Sequence, residues 1–289
     1  MIESVPVNKI DFEFARICNR ILKEGRLDKN PRPKYEDGTP AHTYSINHET
    51  MSFDLNAGEF PIMTLRPVPW KSSIGEILWI YQDASNDLKV LKDKYNVTWW
   101  DKWALPDGTI GACYGETVRR HKLMANLIWG LVTNPDSRYH IMNLWQEDDF
   151  KEPHGLKPCC YNTIWNVRHE DDADYLDMCM MQRSVDFAVA GSTSNQVQYA
   201  SLLYLVAWHC GYKPGRYTWY GANVQLYDRH IEQVREMLTR ESIPHKAYIK
   251  INREKDSFYD LTIDDIKLVG YPIEDIRKNN PQLIFPLGI

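Results

Sequence analysis

Two strand-like runs joined by a turn too acidic to be buried place the tightest limit on how this chain folds. They are Cys160 to Arg168 and Tyr175 to Met181, separated by His169-Glu170-Asp171-Asp172-Ala173-Asp174. Antiparallel pairing about a turn centred near residue 171 or 172 brings Cys159 opposite Arg183 or Ser184. A guanidinium beside a thiol favours the thiolate, and the thiolate is the nucleophile. The hairpin therefore predicts a reactive sulfur beside a fixed positive charge. Cys160, one residue on, points to the opposite face of the strand, so at most one of the pair can serve a site.

The rest of the chain reads as helices packed on such strands. Apolar positions at helical spacing predict an opening helix over Lys9 to Lys23, followed by a polar loop from Asp28 to Pro40. Alternating stretches occur around Thr43 to Ile46 and Met51 to Asp54. Helices are expected over Ser72 to Gln82, Leu123 to Thr133, Gln196 to Cys210 with Gly211 as its terminator, and Arg229 to Arg240. Further strands are expected over Tyr139 to Trp145 and Tyr217 to Leu226. The tail ends apolar, Leu283-Ile284-Phe285-Pro286-Leu287-Gly288-Ile289, which predicts a docked end. Without repeats or a linker, the pattern implies an α+β fold in one domain over residues 1–289.

Composition narrows the function classes. A net charge of −5 without a basic block argues against a nucleic-acid duplex as partner, so an anionic ligand must be met by a few placed arginines. The six cysteines show no zinc spacing, no metal is expected, and reduced thiols in cytoplasm are the default. There is no apolar run of about 18 residues and no basic-then-apolar N-terminus, so neither a membrane span nor a signal peptide is expected. Ten Trp and seventeen Tyr supply flat surfaces for a ring-bearing ligand, or simply an aromatic core.

Four placements carry possible chemistry. Arg183 cannot accept a proton at neutral pH, so Cys159 as a protease nucleophile would need a histidine, with His154 the neighbour on offer. An arginine-assisted thiolate suits conjugate addition to an electron-poor ring bound through an anion; the plain alternative is one more buried strand cysteine. Glu76 sits amid Ile74, Ile77, Leu78 and Trp79, where a carboxylate must be paired or wet and its pKa rises, as suits proton shuttling. Trp99, Trp100 and Trp103 form either a stacking floor or ordinary core. Asn195 opens a helix as an N-cap, or offers one donor and one acceptor to a pyrimidine edge.

The chain resembles the folate-dependent thymidylate synthase family over nearly its whole length. The segments that carry the resemblance are Asp37 to Thr43, Gly75-Glu76-Ile77-Leu78-Trp79, Trp100-Asp101-Lys102-Trp103, Gly111-Ala112-Cys113-Tyr114-Gly115 and Asn134 to Arg138. To these add Leu156-Lys157-Pro158-Cys159, Gln182-Arg183-Ser184-Val185-Asp186, Tyr227-Asp228-Arg229-His230, and the stretch from Phe258 to Tyr271. Each is modest alone; in this order they are specific. The resemblance implies a twisted mixed sheet packed against helices, with two copies joined sheet to sheet in a homodimer.

It also implies roles. Cys159 would add to C6 of a pyrimidine, making C5 the nucleophile toward 5,10-methylenetetrahydrofolate as co-substrate. Arg183 and Ser184 would hold the nucleotide phosphate, with Arg32 a mobile phosphate ligand and Arg138 reaching the neighbouring subunit's site. Asn195 would read the uracil edge, and Tyr227 a ribose hydroxyl. Glu76 and Tyr114 would assist proton transfers. Asp186, Trp100 and Trp103 would face the folate, with Arg66 at its glutamate tail.

Departures from the family pattern gather around the nucleotide. Tyr139 stands where a second arginine is usual, removing a charge-assisted contact worth ~1.5–3 kcal/mol. Gln225 replaces the ribose-reading histidine, Ala222-Asn223 a Gly-Asp pair, Thr193-Ser194 a Pro-Phe pair, Ile164 a glutamine, and Cys160 the histidine after the nucleophile. The favoured reading is methylation of dUMP to dTMP. The rival is hydroxymethylation of dUMP, UMP, dCMP or CMP, in which water captures the exocyclic methylene; a third is a non-catalytic nucleotide-binding relative.

Overall fold

The acidic turn closes where its charge requires, with the Glu170 N–H donating to the Ala173 carbonyl. A computed structural model describes residues 8–289; residues 1–7 of the expected domain lie outside it. The elements in chain order are α1 (Lys9–Glu24), β1 (Arg26–Leu27), β2 (Thr43–Asp54), α2 (Trp70–Ile77), α3 (Leu88–Tyr95), α4 (Gly115–Arg120), α5 (Leu123–Thr133), β3 (Ile141–Asn143), β4 (Cys160–His169) and β5 (Asp174–Asp186). Then follow α6 (Asn195–Cys210), β6 (Lys213–Tyr227), α7 (Ile231–Thr239), β7 (Tyr248–Ile251), β8 (Ile266–Val269) and α8 (Ile273–Asn279).

Six strands form one sheet in the order β1-β2-β6-β5-β4-β3. The β5–β6 pair is parallel and its neighbours are antiparallel, which makes the sheet mixed. The parallel pair needs a crossover, and α6 supplies it. This helix buries Val197, Leu202, Leu203, Leu205 and Val206 completely. It ends at Gly211 in the left-handed region (φ 81°), as expected of the residue after its last turn. One apolar cluster runs from Ile10 on α1 through Trp165 and Trp219 on the sheet to Ile266.

Several sequence expectations change in detail. The two alternating stretches at Thr43 and Met51 are one continuous strand, β2, carried past His48 at φ 62°. The run expected as a strand over Tyr139 to Trp145 is regular only at Ile141–Asn143, although the His140 carbonyl and the Leu144 N–H still bond β4; the Asn143 side chain then accepts from the Trp145 N–H and turns the chain away. The helix expected over Ser72 to Gln82 begins at Trp70 and widens into a π-turn at Leu78–Gln82, where the Asp83 N–H reaches back to Leu78. Arg229 lies in a 3₁₀ turn before α7 rather than inside it. The tail is docked as expected: Ile289 and Lys34 exchange both backbone hydrogen bonds, at 2.8 and 2.9 Å.

Gly115 follows Tyr114 where the chain turns into α4, and a Cβ there would lie 2.0 Å from the Ser85 carbonyl oxygen. Backbone cannot yield as a flexible side chain does. Gly115→Ala is therefore expected to destabilise the protein by about 1–3 kcal/mol, read as a lower denaturation midpoint. An unchanged midpoint would show that the loop has room to relax.

Candidate active site

The hairpin register decides where the nucleophile lies. From His169–Asp174 to Asn162–Met181 the pairing is regular; a bulge at Tyr161 then drops it by one, so that Cys160 meets Gln182. Of the two expected partners Cys159 therefore takes Arg183, whose N–H donates to the Cys159 carbonyl at 2.9 Å. The Arg183 guanidinium donates to the carbonyls of Pro158 (2.9 Å) and Lys157 (2.8 Å) and reaches the Cys159 sulfur at 3.5 Å. One side chain thus fixes the turn before the nucleophile and charges its surroundings.

The expectation of a favoured thiolate needs correction. Burial pushes the Cys159 thiol above its ordinary value, and the pull of Arg183 and then Arg32 in the other direction only partly offsets it. Desolvation of an anion outweighs two guanidinium groups here. The sulfur is thereby held toward its thiol form beside the Arg183 guanidinium. His154 takes no part: its Nδ1 bonds the Glu152 carbonyl and its ring lies against Phe150. Cys160 is buried on the other face, with its carbonyl accepting from Tyr199.

Tyr114 holds the nucleophile from the opposite side, its hydroxyl accepting from the Cys159 N–H at 3.0 Å. The tyrosine sits at φ 49°, ψ −110°, a strained backbone held in place by the tight turn into Gly115. Its ring packs edge-on to Trp100, which packs edge-on to Trp103.

Glu76 is 7% exposed on α2, and its partners are indoles rather than cations. Trp99 Nε1 donates to Oε2 at 2.6 Å and Trp100 Nε1 to Oε1 at 3.0 Å. Burial raises the carboxyl to about 7; Trp100, Trp99 and, more weakly, Gln198 hold it from going higher. The tryptophan run is thus neither plain core nor simply a floor, since two of its three N–H groups serve the carboxylate. Trp99, expected only as stacking floor or core, and Gln198, with no expected role, were missed as partners of Glu76; donor-only indoles and an amide three residues after Asn195 were the available signals.

Asn195 is not an N-cap. The π-turn Phe187–Ser194 runs straight into α6 and Asn195 is already helical, which frees its amide. Its Oδ1 accepts from Gln182 and its Nδ2 donates to Gln198, both at 2.9 Å. Asp186 caps that π-turn, accepting from the Val189 N–H at 3.4 Å, and its other oxygen lies 3.5 Å from His230 Nδ1. His230, also unassigned in the sequence, bonds the Pro286 carbonyl through Nε2 at 2.6 Å and so ties the tail to the site.

The remaining expected residues divide. Ser184 and Gln225 lie on the parallel pair, opposite Asn223 and Asp186. Tyr227 is buried against Tyr35, His230 and Gly288, and burial first, then Asp186 and Cys159, raise its hydroxyl to about 12. Arg32 is exposed but close enough to act on Cys159 and Tyr227. Arg138 is exposed in the turn before β3 and makes no hydrogen bond or ion pair with the Cys159 cluster among the described residues. Arg66 is 5% exposed: it donates to the carbonyls of Ala188 and Val189 and to Gln282, and stacks on Phe285. Those contacts make it an internal brace for the tail rather than an open hand for a ligand. Among the described residues there is no group of three or more acidic, His or Cys side chains placed to hold a metal, and no helix long and apolar enough to cross a membrane.

Glu76 makes stability pH-dependent. Its carboxyl titrates near 7 when folded and near 4.5 when not, so the native state binds the extra proton between these values. Stability must then fall as pH rises through that window, by about 3 kcal/mol in total from this group. Denaturant unfolding of wild type and Glu76→Gln across that range checks it: the gap should move in favour of the variant with rising pH. A gap that stays constant would show that the carboxyl titrates normally.

The family model for thymidylate synthase matches residues 12–281. The thymidylate synthase of Streptococcus pneumoniae is 42% identical over 286 residues, 98% of this chain and 100% of its own. That of Lactococcus lactis subsp. cremoris is 40% identical over 281 residues, 96% and 99% of the two chains. The solved structure of thermostable thymidylate synthase A from Bacillus subtilis superposes with a TM-score of 0.87 at 34% identity, covering 97% of this chain and 99% of that one. A match of this extent, on a mixed sheet that sets Cys159 against Arg183, means that the chain belongs to the thymidylate synthase family.

Proposed function

We propose that this protein converts dUMP to dTMP, with 5,10-methylenetetrahydrofolate as co-substrate and Cys159 as the nucleophile. The observation that carries the residue assignment is the Cys159 sulfur 3.5 Å from the Arg183 guanidinium, at the end of a strand rather than within it. The nucleotide phosphate is held by Arg183, Ser184 and Arg32. Asn195 meets the base edge, and Tyr227, with Gln225 beside it on β6, meets the sugar. The sulfur adds to C6 as its proton leaves, and the electron pair moves to C5. C5 then bonds the one-carbon unit of the co-substrate, and loss of the C5 proton and of tetrahydrofolate leaves an exocyclic methylene. Hydride from the tetrahydrofolate adds to that methylene carbon as the Cys159 sulfur is expelled from C6, which leaves dTMP and dihydrofolate.

Glu76, titrating near 7, can hold or yield a proton at the pH of the reaction, which suits an acid–base group. Tyr114 keeps the nucleophile's turn in place and offers a hydroxyl to the C5 proton transfer. Asp186, Trp100 and Trp103 face the co-substrate. Arg66 acts there through the tail that it braces, instead of gripping a glutamate. That tail, docked to its last residue, keeps water from the exocyclic carbon and favours methyl over hydroxymethyl product.

The same reading makes the protein a cytoplasmic homodimer of single-domain subunits. One apolar cluster unites the chain. Beside β3, Trp129 and Tyr139 are 69% and 89% exposed, and Asn162 on β4 has a buried Oδ1 without a partner. These are marks of a surface awaiting a second copy, whose Arg138 completes the phosphate site. Two inactive variants, Arg138→Ala and Cys159→Ser, should regain activity when unfolded and refolded together. No recovery, or a monomer by sedimentation equilibrium, would refute the shared site.

Tritium release from C5-labelled dUMP with methylenetetrahydrofolate tests the chemistry. Release, a product heavier by a methyl group, and loss of at least about 10³-fold in Cys159→Ser are expected. Release at the wild-type rate in that variant would remove Cys159 from its role.

A further inference from the structure

Four side chains run head to tail from the middle of the sheet into the site. Trp219 Nε1, fully buried on β6, donates to Gln182 Oε1 at 2.8 Å. Gln182 Nε2 donates to Asn195 Oδ1, and Asn195 Nδ2 donates to Gln198 Oε1, each at 2.9 Å. Gln198 also weakly favours the charged form of Glu76. Gln182 and Gln198 are 2% and 3% exposed, so water is a poor substitute for any of these partners.

Each of the three amides could by itself be turned end for end, but the sheet end of the chain could not. An indole N–H only donates. With Trp219 donating, Gln182 must show it oxygen and pass an N–H to Asn195. Asn195 must then accept from Gln182 and pass an N–H to Gln198, which accepts it. The direction of the relay is set at the sheet.

We infer that Gln198 and Trp219 are positioning residues that lock the Asn195 amide in one orientation and thereby make the site accept a 4-oxo pyrimidine and reject a 4-amino one. The inference rests on the functional reading above, in which Asn195 meets the base. After its two internal bonds Asn195 retains one oxygen lone pair and one N–H. Uracil presents an N3–H donor and an O4 acceptor; cytosine presents an acceptor at N3 and a donor at N4. To match cytosine, Asn195 must set N–H against the N–H of Gln182 and oxygen against the oxygen of Gln198. Gln182 cannot follow it round, because it would then orphan the Trp219 N–H, and that mismatch holds the Asn195 amide. Discrimination is strict where the wrong ligand leaves buried polar groups unpaired.

The test uses the intact protein and two variants, Gln198→Met, nearly isosteric but without the amide, and Trp219→Phe, which cuts the relay far from any ligand. Dissociation constants for dUMP and dCMP come from quenching of tryptophan fluorescence, and kcat and KM for dUMP from tritium release. Wild type should bind dUMP more tightly than dCMP. In each folded variant the ratio of the two constants should fall by about tenfold or more, with KM for dUMP rising by more than kcat falls. A purely packing role would weaken both nucleotides equally and leave the ratio alone. An unchanged ratio in either folded variant, with tritium release intact, overturns the lock and spares the methyl-transfer reading. Selective dUMP binding by a wild-type protein that releases no tritium does the reverse. A wild type that does not distinguish the two nucleotides overturns the lock outright.

Discussion

The hydrogen bond from the Arg183 N–H to the Cys159 carbonyl is the contact on which the site depends. It exists because a bulge at Tyr161 drops the register by one just before the hairpin opens. Without that shift the nucleophile would face Ser184, and the guanidinium would turn to the other side of the strand. Once in place, the Arg183 side chain accounts for two further carbonyls, at Pro158 and Lys157, so the loop carrying the sulfur is as rigid as the strand beside it. A reactive group on a loop gains the precision of a sheet.

Burial then sets the tone of the chemistry. Cys159 and Glu76 are both pushed toward their neutral forms by desolvation, one against guanidinium groups and the other against indole N–H groups. Holding an anionic sulfur and an anionic carboxylate in one buried region would carry a heavy electrostatic penalty, and raising both groups lessens it. The same economy shows in Arg66, which is surrounded by carbonyls and an aromatic face instead of a counter-ion, and whose pKa burial lowers to about 10.

The tail and the site are mechanically one object. Arg66 stacks on Phe285, His230 links Asp186 to the Pro286 carbonyl, and Ile289 pairs with Lys34 in the loop that carries Arg32. Arg66, Asp186 and the loop carrying Arg32 are thus connected to the chain's last residues. Two of this chain's departures from its family pattern, Gln225 and Asn223, lie on β6 opposite Asp186 and Ser184.

Period-two and period-3.6 patterning, an acidic turn and a terminal glycine were enough to place β4, β5, α5 and α6 from the amino-acid sequence, since each is dictated by neighbours along the chain. So were the opposition of Cys159 and Arg183, to within one residue, and the docking of an apolar tail. What no local rule contains is a partner far away in sequence. The single-residue bulge, the indole donors of Glu76, the helical rather than capping state of Asn195 and the burial that reverses the expected bias of the Cys159 thiol all arise when separate segments meet. Sequence by itself determined which groups were present and on which faces. Tertiary structure decided their charge and direction, because desolvation and hydrogen-bond polarity belong to the enclosure and not to the residue.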